Sequence, residues 1–121
     1  MLFKSIASLA AFAVAAIALE DSAHLFLPDG ALGACGEPVL DTEFAAAISS
    51  VDFSLSLCGQ TITVFLGDET SSTKVDVVIK DNCTLACHKN QIELTQAAFD
   101  VLVGVGSPDQ TVGPVTYNLP A

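Results

Sequence analysis

The sequence predicts a small all-β barrel carrying one short helix. Three observations point there. Short β-branched runs recur at hairpin spacing, Gly- and Pro-containing turns separate them, and only one stretch combines helical periodicity with a capping residue.

The barrel does not begin at Met1. One early cation, Lys4, precedes an apolar run from Ile6 to Ala18, and Glu20 and Asp21 close it. The run is short for a membrane span, which needs roughly 20 apolar residues. Ala16-Ile17-Ala18 has the small-x-small pattern of a leader cleavage site, so residues 1–18 are read as a secretory signal peptide and 19–121 as one domain.

The elements follow in order. Leu27 to Gly36, "LPDGALGACG", concentrates Pro and Gly and reads as an ordered turn region. Glu43 to Ser49 is ambiguous: its alanines favour helix, while its length fits a buried strand. "TITVFL" (Thr61 to Leu66) and "KVDVVI" (Lys74 to Ile79) form a hairpin pair around "GDETSS", with Asp76 on one face and Val75 and Val77 on the other. "QIEL" is a short strand, and Thr95 is set to cap "QAAFDVL", a helix with Ala98, Phe99 and Leu102 on one side. "GSPDQ" turns into a last strand, "GPVTYNL", with Val115, Tyr117 and Leu119 in one phase.

Charge excludes whole classes of function. Beyond the leader there are fourteen acidic side chains against Lys74, Lys80 and Lys89, a net charge of −11, and the chain has no arginine. Nucleic acid needs a basic footprint that releases counterions, and anionic membranes need the same. The domain is read as a monomer that binds neither.

The chemistry concentrates in "VVIKDNCTLACHKN", Val77 to Asn90. Cys83, Cys87 and His88 have metal-like spacing, but structural zinc draws its other ligands from a second close-set pair, and Cys35 and Cys58 lie far apart. Redox catalysis uses two intervening residues, not three. In an exported chain four cysteines read as two disulfides, with three pairings open on the residues alone. His88 is then a solvated loop residue, and no metal or cofactor is expected. Asn82-Cys83-Thr84 is a formal glycosylation sequon, disfavoured by a bridged Cys83. Asp81 sits where a buried strand emerges. On the residues alone it is either a pre-positioned carboxylate or an acceptor for N–H groups of the Asn82–Cys83 turn.

Five pieces in order, "LGACG", "CG" at Cys58-Gly59, "VVIKDNC", "IELTQAAFDVL" and "GPVTYNL", resemble the RlpA-like double-psi β-barrel of barwin-like proteins, expansin domain one and single-domain fungal loosenins. The resemblance covers about residues 23 to 119. It implies six strands, an open groove containing Asp81, and pairing of Cys35 with Cys58 and of Cys83 with Cys87. Glu43, with Asp41 nearby, matches an acidic position of the family, and Tyr117 matches a last-strand aromatic that could face a sugar ring or lie in the core. Lys80 is unusual before the aspartate. His24-Leu25-Phe26-Leu27 stands where the family carries a Thr and Tyr cluster, and Val39 where it carries asparagine.

These matches imply a secreted module that binds, and loosens without hydrolysis, a cell-wall polysaccharide such as cellulose or chitin. A protein-binding module, a protease inhibitor or a host-directed effector, is the alternative. Hydrolysis with inversion needs two carboxylates about 6.5–9.5 Å apart. The first strand offers none between Ala23 and Leu27, and nothing in the sequence sets Asp29, Asp41 or Glu43 opposite Asp81. A lytic transglycosylase could work with one acid, but no other peptidoglycan-directed feature is present. Asp81, if any residue, would be the catalytic one.

Overall fold

The computed structural model describes residues 18–84 and 87–120; the leader predicted over 1–18 lies outside these but for Ala18. Six strands close into one barrel: β1 (Ala18–Phe26), β2 (Ala45–Ser49), β3 (Thr61–Leu66), β4 (Lys74–Cys83), β5 (Ile92–Thr95) and β6 (Thr111–Asn118). A single α-helix, α1 (Gln96–Val103), and a 3₁₀ turn at Leu55–Leu57 complete the described elements. The order around the barrel is β1-β5-β2-β4-β3-β6, with β6 returning to β1. β1 pairs with β5 and β2 with β4 in parallel, and the remaining pairs are antiparallel. Closure removes every sheet edge.

Alternation fills the interior. Ile62 and Val64 of β3, Val75, Val77 and Ile79 of β4, and Val115 and Tyr117 of β6 all point inward and are buried. The ambiguous alanine segment is strand β2, buried along its whole length. It lies between β5 and β4, and its outer face is covered as well, which removes the polar alternation that would have marked it as a strand. α1 turns Ala98, Phe99 and Leu102 into the core as its periodicity predicts. Thr95 does not cap that helix through its side chain. Its hydroxyl instead donates to the Glu43 carbonyl at 2.6 Å, tying the incoming loop to β5. No described helix is long and apolar enough to cross a membrane.

Candidate functional site

One local irregularity aims the site. β4 runs in step with β2 as far as Ala46 opposite Ile79, and then Ala47 lies opposite Asp81. Lys80 is the extra residue of a β-bulge. Without it Asp81 would share the phase of Val75, Val77 and Ile79 and point into the core. The bulge reverses the phase, so Asp81 turns outward and Asn82 inward, opposite Ile48.

The same register carries the row onward. Ala47 is aligned with Glu93 of β5, Glu93 with His24 of β1, and His24 with Thr111 of β6. Asp81, Ala47, Glu93, His24 and Thr111 therefore line up across five adjacent strands, a span of about 19 Å at the usual strand spacing. Asp81 and Glu93 are two spacings apart, about 9–10 Å between Cα positions. In the register the buried Ala47 stands between them. Burial, and then the negative charge of Asp81, push the half-buried Glu93 carboxyl above its ordinary range.

The two carboxylates are held differently. Asp81 Oδ1 accepts the backbone N–H of Ala34 at 2.7 Å and of Asn82 at 2.8 Å. Of the two readings left open by the sequence, the acceptor of the Asn82 N–H is the one observed, although Asn82 lies in β4 rather than in a turn. Glu93 makes no such bonds among the described residues and lies with a carboxylate oxygen within 4.8 Å of the Cys83 and Cys87 sulfurs. Those sulfurs are bonded to each other, as are those of Cys35 and Cys58, the pairing that the resemblance implies. With their thiols consumed, they offer no thiolates to a metal. His24 Nδ1 lies 3.4 Å from the Thr111 hydroxyl, while Nε2 is buried with no partner among the described residues.

Two walls flank the row. On one side, the segment from Leu27 to Phe44 is laid over the outer face. Val78 N–H donates to the Phe44 carbonyl, Thr95 holds Glu43, and the Leu32–Pro38 bridge seats Gly33 against β4. On the other side stands the Cys83–Cys87 disulfide. Two hollows are lined by other residues, one by Asp52, Ser56, Gln60 and Leu119, another beside the Cys35–Cys58 bridge. Along the row Asp81, Glu93 and His24 are part-exposed, and Ala47 between the two carboxylates is buried.

The other expected site residues fall outside the row. Asp41 accepts the Asp29 N–H at 2.9 Å and so holds the turn at Leu27–Gly30. Glu43 pairs with Lys80 at 2.9 Å and accepts the Leu40 N–H at 2.7 Å. Tyr117 cannot serve as a sugar platform: it is 0% exposed, packed in the core, with its hydroxyl donated to the Asn90 carbonyl at 2.8 Å. Burial, reinforced by Asp52 and Asp21, pushes its ionisation far up. β1 starts earlier than expected and so does carry Glu20 and Asp21, but they precede a bulge and align with Thr116 and Val115 of β6, away from the row. Glu93 is the residue that sequence reasoning missed. A lone carboxylate alternating with Ile92 and Leu94 marks an outward position, which is a legible signal; its alignment with Asp81 through β2 is not.

No protein-family model matches the chain, and no curated protein matches it. Solved structures do. The Streptomyces papain inhibitor superposes with a TM-score of 0.70 at 21% identity, over 87% of this chain and 96% of that one. A Clavibacter michiganensis expansin matches as an aspartate-to-asparagine mutant in complex with cellohexaose (TM-score 0.65, 21% identity) and in its apo form (0.66, 22%). In both expansin matches 87% of this chain is aligned with 52% of the other, so this chain spans about half the expansin's length. The chain has the double-psi β-barrel fold that these proteins share.

Proposed function

We propose that this protein is a secreted module that binds a neutral cell-wall polysaccharide along the Asp81–Glu93–His24 strip without cleaving it. The observation that carries the reading is the register that sets Asp81, Glu93, His24 and Thr111 in one line across the barrel. An extended glycan lying along that line meets hydrogen-bonding groups at successive sugar units. The same-fold expansin in complex with cellohexaose supports a glucan ligand. The leader over 1–18 and two disulfides support export.

Two carboxylates on one line favour binding over inverting hydrolysis. That reaction sets an acid and a base on opposite faces of the sugar ring, whereas Asp81 and Glu93 project from one surface, under the chain. All three lysines beyond the leader are engaged, Lys74 over Phe65, Lys80 with Glu43 and Lys89 with Asp52. The strip therefore rejects polyuronates by like charge.

A second reading, binding of a protein partner, is favoured by the wall segment. Leu27, Leu32, Leu40 and Phe44 are all at least half exposed and all come from that one stretch. The same-fold papain inhibitor supports it. Pull-down on insoluble cellulose and chitin across a salt series decides between the two. Retention that Asp81→Asn and Glu93→Gln weaken supports the polysaccharide. Absence of retention on both sinks it and points to a protein. Reducing sugar released by the protein, and lost in Asp81→Asn, would make it an enzyme.

A further inference from the structure

Lys80 breaks the apolar run Val77–Ile79 one residue before Asp81, and its place in the fold gives it work beyond making the bulge. Its ammonium, on a side chain only 15% exposed, sits 2.9 Å from Glu43, 3.2 Å from the Pro38 carbonyl and 3.6 Å from Glu37. Its own carbonyl accepts the Cys35 N–H at 3.3 Å. One residue thus grips the wall segment at four points, spread from Cys35 to Glu43. Immediately before the first of them the segment carries Ala34, whose N–H is given to Asp81.

We propose that Lys80 is a positioning residue for the strip: its charge clamps the 34–43 wall onto β4, and the clamped wall fixes the Asp81 carboxylate. The bulge brings both functions to adjacent residues, since Lys80 reaches over the wall while Asp81 faces the ligand. Glu43 completes the clamp from the opposite side. One carboxylate oxygen takes Lys80 and the other takes the Leu40 N–H, so the acid is anchored before it pairs. In chemical terms the wall is held by charge at one end and by the Cys35–Cys58 bridge at the other.

The experiment follows amide hydrogen exchange in the full chain. Exchange at Ala34 reports the bond to Asp81, and exchange at Val64, inside β3, reports global stability. In Lys80→Met, Ala34 exchange should accelerate about tenfold or more, the size expected for loss of a local charge-assisted contact, and Val64, whose global opening also breaks the contact, by no more than the same factor. Glu43→Gln removes the same pair without touching the bulge and should reproduce the effect. Lys80→Arg, which keeps the charge, should restore protection. Unchanged Ala34 exchange in both Lys80→Met and Glu43→Gln overturns the clamp. So does acceleration at Val64 with Ala34 unchanged, because the contact would then survive the opening that exposes Ala34.

The binding arm rests on the glycan reading above. With a cellulose or chitin hexamer as probe, Lys80→Met should weaken binding about tenfold and Lys80→Arg should not. If Ala34 exchange rises but hexamer affinity holds, the wall does not position Asp81 for the ligand and the proposal fails. If the native protein binds neither hexamer, the glycan reading fails, and the exchange data still decide the clamp.

Discussion

Gly33 is where the wall touches the strip most closely, and Gly33→Ala tests that contact without altering a charge. A β-carbon built there would lie 2.4 Å from the Lys80 carbonyl oxygen, 3.1 Å from Val39 Cγ2 and 3.2 Å from Asp81 Cβ. The nearest atom is backbone, so no side chain can swing aside. The wall must lift, and the next residue is Ala34, whose N–H bonds Asp81. Overpacking of this kind costs about 1–3 kcal/mol, and a lost hydrogen bond to a charged acceptor about 1.5–3 kcal/mol. A net destabilisation of about 3 kcal/mol is expected, enough to lower Tm by more than about 10 °C in a domain of this size. Gly36→Ala is the control. Its φ of +87° imposes left-handed strain, about 1–2 kcal/mol, but no atom lies within 4 Å of the added carbon. Urea unfolding followed by circular dichroism measures both. The reasoning is refuted if Gly33→Ala unfolds within about 0.5 kcal/mol of the native chain, or if Gly36→Ala costs more.

Other outcomes follow from the same geometry. Glu93, raised in the folded state by burial and by Asp81, binds its proton more tightly folded than unfolded. Its contribution to stability is therefore greatest below its ordinary value of 4.5 and declines as pH rises through the raised one. Glu93→Gln should accordingly gain on the native protein above that window and lose the advantage below it, as urea midpoints across pH would show; a constant difference refutes the coupling. Asp81→Asn should lower the Glu93 pKa in a carboxyl NMR titration, and no movement would place the two carboxylates out of reach. The Lys80–Glu43 pair behaves with opposite sign on the acid side. Burial opposes the Glu43 charge, but the Leu40 N–H and Lys80 outweigh it and hold its carboxyl below 4.5. Its stabilisation is present above 4.5 and fades as pH falls through the lowered value, so Ala34 exchange should quicken there. By loop-closure entropy, Cys35→Ser/Cys58→Ser should cost about 3.5 kcal/mol and Cys83→Ser/Cys87→Ser about 2 kcal/mol, from sequence separations of 23 and 4. Equal losses in urea unfolding would contradict that order. Tyr117→Phe, which leaves the Asn90 carbonyl without its donor, should lose about 1 kcal/mol and retain polysaccharide binding; loss of binding alone would return the ring to the site.

The barrel was legible because its strands are written in local alternation, and the strip was not because it is written in register. Val75, Asp76 and Val77 reveal their faces from neighbours alone, and so do Ala98, Phe99 and Leu102. Thr95 misled because a hydroxyl before a helix has two partners within reach. The Glu43 carbonyl, brought by a distant loop, wins over the helix N-terminus. Asp81 was singled out as the point where the strand ends, whereas β4 runs on to Cys83; the reason it faces outward is the bulge at Lys80, and no periodicity announces an extra residue. Strict alternation from Val75 would have buried it. Glu93 shows the harder limit. Its outward phase could be read between Ile92 and Leu94, but its meeting with Asp81 depends on β2 pairing in parallel with β4 and antiparallel with β5, both contacts between segments far apart in the chain. Ala47 closes the argument. In the sequence it is one of three alanines that blur helix and strand. In the barrel its buried methyl stands between two carboxylates in the register, so a larger apolar residue there would bury Glu93 further and deepen its upward shift.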